Sequence, residues 1–267
     1  MPTTADLDQR TGGGRRQVPL LVLSDIHLGS ISSRAQELLA YLDTIEPAEV
    51  ILNGDILDLW AGVRYPESHQ RVLKRFASYA ASGIPVTYLP GNHDEALRLF
   101  GTCAFAGITI VNETERVLAG RRTLFMHGDL LERATRTPRW MTWIATGIYD
   151  LAMAAQDHLN RVRCWCGWAP IGFVQKTART LPIARGHVQD FEHTCRVTAS
   201  ERGYQAVVVG HIHCAKVLEH DDALYLNSGD WVESMTALEF DGRRWRIAAW
   251  TGVAEPVAIS QPVLATN

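Results

Sequence analysis

Five times along the chain an apolar, largely β-branched run stops abruptly at Gly, Asp, Asn or His. The runs are 18–23 before Asp25, 49–52 before Gly54-Asp55, and 86–89 before Gly91-Asn92-His93-Asp94. The pattern returns at 122–126 before His127-Gly128-Asp129, and at 205–209 before Gly210-His211-Ile212-His213. Unbroken apolar runs of this length predict strands buried on both faces. Between them, 33–45 sets Leu38, Leu39, Leu42 and Ile45 on one helical face, and 68–82 does the same with Val72, Phe76, Tyr79 and Ala80. Alternating strands and helices predict an α/β sheet with its helices outside. In such sheets, polar groups at the carboxyl ends of the strands gather along one edge, so the five strand ends should deliver His, Asp and Asn to one place.

The pattern changes further on. Segments 223–227, 235–240 and 244–249 are short and alternating, with Asp241-Gly242 as a hairpin turn. They predict an antiparallel sheet that continues or faces the first. From about Glu132 to Arg202 the reading is helical: Thr137-Pro138 starts a helix, and Trp140, Ile144, Ile148 and Leu151 recur at helical spacing. Pro170 and Pro182 should break the segment, and a last helix should run from about His187 to Gly203. Residues 1–17 read as a disordered Gly-rich tail, 18–253 as one domain carrying the helical cap insertion 132–202, and 254–267 as a loose end.

Composition narrows the function classes. Apolar residues make up 46% of the 267 positions and charged residues 21%, which is ordinary for a globular chain. A net charge of −3 offers no electrostatic footprint for nucleic acid. No apolar run reaches the roughly 18 residues of a membrane span. Arg15-Arg16 before the first apolar run resembles a short signal peptide, but that run leads directly into Asp25 and His27, and it reads as the first core strand. The five cysteines, Cys103, Cys164, Cys166, Cys195 and Cys214, form no C-x-x-C pair. They read as unpaired thiols, Cys164 and Cys166 buried, in a reducing cytoplasm.

Seven strand-end residues carry the chemistry: Asp25, His27, Asp55, Asn92, His127, His211 and His213. In an extended segment, residues two apart project to the same side, so Asp25 and His27 can face one ion, and His211 and His213 add imidazoles that are again two apart. Asp55 can bridge two cations, and Asn92 adds a neutral amide oxygen. Two carboxylates, one amide and four imidazoles with no sulfur suit Mn²⁺ first, with Fe²⁺ and Zn²⁺ as alternatives, and argue against a closed structural zinc site. Seven ligands exceed the needs of one ion that keeps a substrate position open. Two divalent ions about 3.5–4 Å apart use them naturally, for in-line attack of a metal-bridging hydroxide on phosphorus. Asp129 is expected only to hold the His127 loop, and His69, His158, His187, His193 and His220 read as surface or structural.

In order and spacing, Ser24-Asp25-Ile26-His27, Gly54-Asp55-Ile56-Leu57-Asp58, Gly91-Asn92-His93-Asp94, His127-Gly128-Asp129 and Gly210-His211-Ile212-His213 resemble the five blocks of calcineurin-like metallophosphoesterases. The resemblance spans about residues 18–240. It implies a four-layer α-β-β-α sandwich and a two-metal centre, with Asp25, His27, Asp55 and His213 at one ion and Asp55, Asn92, His127 and His211 at the other. It also implies that His93 contacts the phosphoryl group and protonates the leaving oxygen, with Asp58 orienting it and Asp94 as the competing partner. Within the superfamily, the length, the insertion after His127-Gly128-Asp129 and the block Asn227-Ser228-Gly229-Asp230-Trp231 are most similar to the UDP-2,3-diacylglucosamine pyrophosphohydrolases of lipid A biosynthesis. His93 departs from that branch, which carries Arg there. The insertion holds Trp140, Trp143, Trp165 and Trp168 among several arginines. These fit either an acyl-binding cap, with peripheral contact to the cytoplasmic face of the inner membrane, or a cap that is merely packed. A hydrolase of soluble phosphoesters and a non-catalytic scaffold are the other readings.

Overall fold

The structure is a computed structural model that describes residues 15–60, 65–132, 182–252 and 257–259, with scattered positions between 152 and 171. Two mixed sheets lie face to face. The larger is built around β2 (Leu20–Leu23), β4 (Val50–Asn53) and β5 (Val86–Leu89), joined in parallel, with β7 (Ile108–Ile110) parallel to β5 and β6 (Cys103–Phe105) closing that side antiparallel. On its other side β13 (Thr236–Phe240), β14 (Trp245–Ala249) and β15 (Val257–Ile259) continue it antiparallel. In the smaller sheet β10 (Ala206–Val209) lies parallel to both β9 (Arg121–Phe125) and β12 (Leu224–Asn227), flanked by antiparallel β8 (Thr114–Leu118) and β11 (Lys216–Leu218). A short parallel pair, β1 (Arg16–Val18) with β3 (Ile45–Pro47), stands apart.

Alternation along the strands explains the layering. Leu21 and Leu23 point into a core shared with α1 (Ala35–Leu42) and α2 (Glu67–Ala81), through Leu38, Leu42, Val72 and Phe76. Leu20 and Val22, on the opposite face, meet Phe125, Val208 and Leu226 of the second sheet. Val207 and Val209 turn outward onto Phe191, Cys195 and Ala199 of α4 (Pro182–Glu201). The three apolar layers between helix, sheet, sheet and helix make the expected α-β-β-α sandwich, and each central strand is buried on both faces because it faces two cores.

Several elements differ from the sequence pattern. The first helix ends at Leu42, and Ile45 belongs to β3, held by backbone pairing to Arg16. Residues 16–18 and 257–259 are strands within segments expected to be tails. Leu224–Asn227 does not join an antiparallel sheet with the later strands. It is wholly buried and parallel to β10, where only a strand apolar on both faces fits. Pro182 starts α4 rather than breaking the chain, since the first turn of a helix needs no proline N–H. Cys166 is exposed, not buried, and Cys164 lies outside the described residues. Trp140, Trp143 and the helix expected from Thr137 also lie outside them.

One buried carboxylate ties the outer elements to the sheet. Glu239 on β13 accepts from Arg16 Nη1 and Nη2 at 2.6 and 2.7 Å, from Tyr41 Oη at 2.6 Å and from Arg246 Nε at 2.7 Å. Burial alone would raise its pKa, but these partners outweigh it and hold the carboxyl below its ordinary range. A depressed carboxyl contributes stability that is present above the ordinary glutamate value of about 4.3 and is lost as pH falls through the folded value. Glu239→Gln should therefore flatten the acid limb of thermal stability against pH. Glu239→Ala, which strands two guanidinium groups, should cost about 3 kcal/mol near neutrality, read by denaturant unfolding.

Candidate metal centre

Strand geometry brings all seven predicted ligands to the carboxyl edges of the two sheets. The backbone there is not extended, as the spacing had suggested. Asp25, His27, Asp55, His211 and His213 all take left-handed φ values, of 52°, 52°, 52°, 68° and 53°. Asp25 and His27 converge on one donor group because two left-handed residues flank Ile26, which is fully buried in the core, whereas His211 and His213, turned in the same way, serve separate groups. Left-handed non-glycine residues cost about 1 kcal/mol or more each and persist only where their surroundings enforce them. The enforcement is visible: Asp25 N–H donates to Gly54 O at 3.0 Å, His27 N–H to Asp55 O at 2.9 Å, and Trp231 N–H to Asp25 O at 3.0 Å. Two more bonds act on Asp25: His211 N–H donates to its carboxylate at 3.1 Å, and Ser24 Oγ, itself 2.6 Å from Ser228 Oγ, also bonds it.

The donor atoms form overlapping groups within 4.8 Å of one another: Asp25 with His27 and His213, and Asp55 with His127 and His211. His93 joins His27 and Asp55 in a third such group. Asn92 Oδ1 and His127 Nε2 are buried with no hydrogen-bond partner. A protein rarely leaves buried polar atoms unpaired, and these two are the atoms expected to ligate. His127 Nδ1 lies 2.8 Å from Asn53 O. A carbonyl only accepts, so Nδ1 carries a proton, and in the neutral ring the lone pair lies on Nε2, which faces Asp55 Oδ2 at 3.3 Å. With nitrogen and oxygen donors, orphaned buried atoms and a fixed tautomer, these residues fit divalent cations.

Electrostatics agree. Asp25 and Asp55 are 0% and 2% exposed, and burial would raise both, yet the surrounding imidazoles hold them low. Burial opposes charge on His127 as well, but Asp55 lifts it to about 10. Burial, with repulsion from His213 and His93, pushes His27 down to about 4 against the pull of Asp55. Two buried carboxylates thus draw positive charge into a small volume.

His93 sits at the rim. Its Nδ1 lies 3.3 Å from Asp58 Oδ1. Asp94, the competing partner, is fully engaged elsewhere. It accepts from Tyr88 Oη at 2.5 Å, Gly91 N–H at 2.5 Å, Ile56 N–H at 2.9 Å and Leu57 N–H at 3.2 Å, and so binds the two loops together. Asp129 pairs bidentately with Arg98 at 2.7 and 2.9 Å, while Arg98 also reaches Pro90 O at 2.7 Å, so it joins the His127 loop to the Asn92 loop. Two residues escaped the sequence reading. Trp60, 63% exposed, stacks on His93 with ring centroids 4.2 Å apart. Glu132 accepts from His211 Nε2 at 2.8 Å. A tryptophan two residues beyond Asp58 was a signal for the first, whereas the second needed the fold.

Comparisons with known proteins fit this geometry. The model of the calcineurin-like phosphoesterase family matches residues 18–215. A protein of Xanthomonas campestris pv. campestris named UDP-2,3-diacylglucosamine hydrolase is 26% identical over 83% of this chain and 94% of its own. Proteins of the same name from Xanthomonas axonopodis pv. citri and Aeromonas hydrophila are 28% and 25% identical, covering 83% and 82% of this chain and 94% and 92% of theirs.

The motif glycines allow the groups to approach so closely. A Cβ on Gly91 would lie 2.2 Å from Asp55 Oδ1 and 2.7 Å from Asp55 N. Gly91→Ala should therefore displace Asp55 and abolish stoichiometric divalent-ion binding, measured by metal analysis after dialysis, while far-UV circular dichroism stays unchanged. Full metal content in this variant would contradict the placement of Asp55.

Proposed function

The chain belongs to the calcineurin-like phosphoesterase family, and from that premise we propose that it hydrolyses the diphosphate of UDP-2,3-diacylglucosamine or a related lipid-linked nucleotide. The convergence of six nitrogen and oxygen donors beside His93, with the unpartnered amide oxygen of Asn92 next to it in sequence, carries the hydrolase reading. Asp25, His27, Asp55 and His213 would hold one ion, and Asp55, Asn92, His127 and His211 the other, with Mn²⁺ as the metal that suits the set. When bound, two such ions supply the Lewis acidity that polarises a phosphoryl group and lowers the pKa of water.

The protein's own groups do the rest. His93 is the proton donor to the leaving oxygen. Burial disfavours its charge, but Asp58 and then Asp55 raise its pKa above the ordinary histidine value, so it keeps the proton it must deliver. Asp58 aims the ring, and Trp60 covers one of its faces, limiting where the imidazole can swing.

The names of the relatives support a lipid-linked substrate, and so do the surroundings of His93. Leu59 N–H donates to His93 O at 3.2 Å, which sets Leu59 and Trp60 against the His93 loop. That loop runs into a short 3-10 helix whose last residues, Leu99 and Phe100, are 88% and 69% exposed. In the insertion, Trp165 and Trp168 are also exposed rather than packed. Large apolar side chains left in water suit acyl chains. No helix among the described residues is long and apolar enough to cross a membrane, so access to a lipid substrate would be peripheral, at the cytoplasmic face of the inner membrane. His93, in place of the Arg of the lipid A branch, favours a soluble phosphodiester as the second reading.

Detergent-solubilised UDP-2,3-diacylglucosamine, UDP-glucosamine and bis-p-nitrophenyl phosphate, each assayed with Mn²⁺, separate the readings. The lipid nucleotide should be turned over with the highest kcat/KM, and equal or better turnover of the soluble esters would favour the second reading. No hydrolysis of any of them would overturn the enzyme assignment. His93→Ala should lower kcat about 10²–10⁴-fold with little change in metal content. Unchanged turnover in that variant would remove His93 from the reaction.

A further inference from the structure

Glu132 is the last residue of the short helix α3 (Asp129–Glu132), where the chain leaves the His127 loop for the insertion. His187 lies near the start of α4, where the chain comes back. One carboxylate joins both to the site: Glu132 Oε2 is 2.8 Å from His211 Nε2, and Oε1 is 3.0 Å from His187 Nε2. A carboxylate only accepts here, so both imidazoles present N–H to it. A neutral His211 with its proton on Nε2 has its lone pair on Nδ1, and its ring belongs to the Asp55–His127 donor group. On the opposite side the Phe191 ring, 5.9 Å away between centroids, backs the same imidazole. Glu132 belongs to none of the converging donor groups among the described residues, so it lies behind a ligand and is not itself one.

We infer that Glu132 is a positioning residue that fixes the tautomer and orientation of His211, and that His187 holds Glu132 in place, tying both ends of the insertion to one half of the metal centre. This rests on the two-ion reading above. Carboxylates behind metal-bound histidines commonly govern affinity in this way. The sequence 129–132 and the distant His187 become partners only because α3 and α4 pack together.

Chelator competition with Mn²⁺ on the full chain tests the inference, alongside melting of the metal-free protein. Glu132→Ala should weaken one of two ions about 10–100-fold and leave the other within about twofold of wild type. Glu132→Gln, which keeps the shape but can accept from only one imidazole at a time, should fall between, and His187→Gln should show a smaller loss at the same ion. The melting temperature of the metal-free Glu132→Gln protein should match wild type. Wild-type affinity for both ions in Glu132→Ala would overturn the role. So would an equal loss at both ions accompanied by a lower metal-free melting temperature in both Glu132 variants, which would mark Glu132 as a folding residue. A wild-type chain that binds no second ion would overturn the two-ion reading itself, and the inference with it.

Discussion

Asp25 and Asp55, both buried, project from loops that follow neighbouring parallel strands, and the architecture around them follows from the need to satisfy that charge. A carboxylate out of water is costly unless paired and hydrogen-bonded. Here the pairing comes from four imidazoles, His27 following the larger sheet and His127, His211 and His213 following the smaller, and from backbone N–H groups of His93 and His211 at 2.8 and 3.1 Å. The His211 N–H on Asp25 and His127 Nε2, 3.3 Å from Asp55, reach across from the smaller sheet, so the carboxylates also fasten one sheet to the other. Even so, imidazoles as far apart in behaviour as His127, lifted to about 10, and His27, pressed to about 4, coexist within this cluster.

The left-handed turns follow from the same constraint. A strand that simply ran on would alternate its side chains between the two apolar cores, leaving no room for a polar cluster. Turning left-handed at Asp25 and again at His27 lifts both polar groups out at the sheet edge while Ile26 stays in the core. The same device recurs at His211 and His213. Glycines at 54, 91 and 210 complete it, since a Cβ at any of them would sit within 2.7 Å of a ligand side chain. Local backbone strain and close approach are thus located where the chemistry is, and the double-sided apolar strands behind them supply the rigidity that keeps the strain in place.

Much of this was legible in the residues. The strands 20–23, 50–53, 86–89, 121–125 and 206–209 announced themselves because each ends in a polar block and all but 121–125 are buried on both faces, and the predicted site residues are those blocks. What escaped has physical reasons. Leu224–Asn227 looks like its later neighbours because four residues are too few to separate alternation from full burial. The short strands at 103–105, 108–110 and 216–218 are three residues each, too short to show a period, and are fixed by pairing with their neighbours. Asp94 seemed as good a partner for His93 as Asp58, being adjacent to it. Only the fold shows that adjacency turns Asp94 away, into backbone N–H groups and Tyr88, while Asp58 from another loop comes within 3.3 Å.

The histidines make the same point about contact and sequence distance. His93 and His187 are each met by a carboxylate from another loop or helix, and a histidine's role depends on what lies behind its second nitrogen. Asp58 behind His93 raises its affinity for a proton at the edge of the site. A backbone carbonyl behind His127 and Glu132 behind His211 instead pin a proton on the far nitrogen and leave the near one as a donor. On the proposed reading, one side-chain type is thereby divided into an acid and a set of ligands by partners that lie outside the motifs. The five polar blocks locate the site, whereas its division of labour is set by the residues packed behind them, among them Glu132 at the mouth of the insertion.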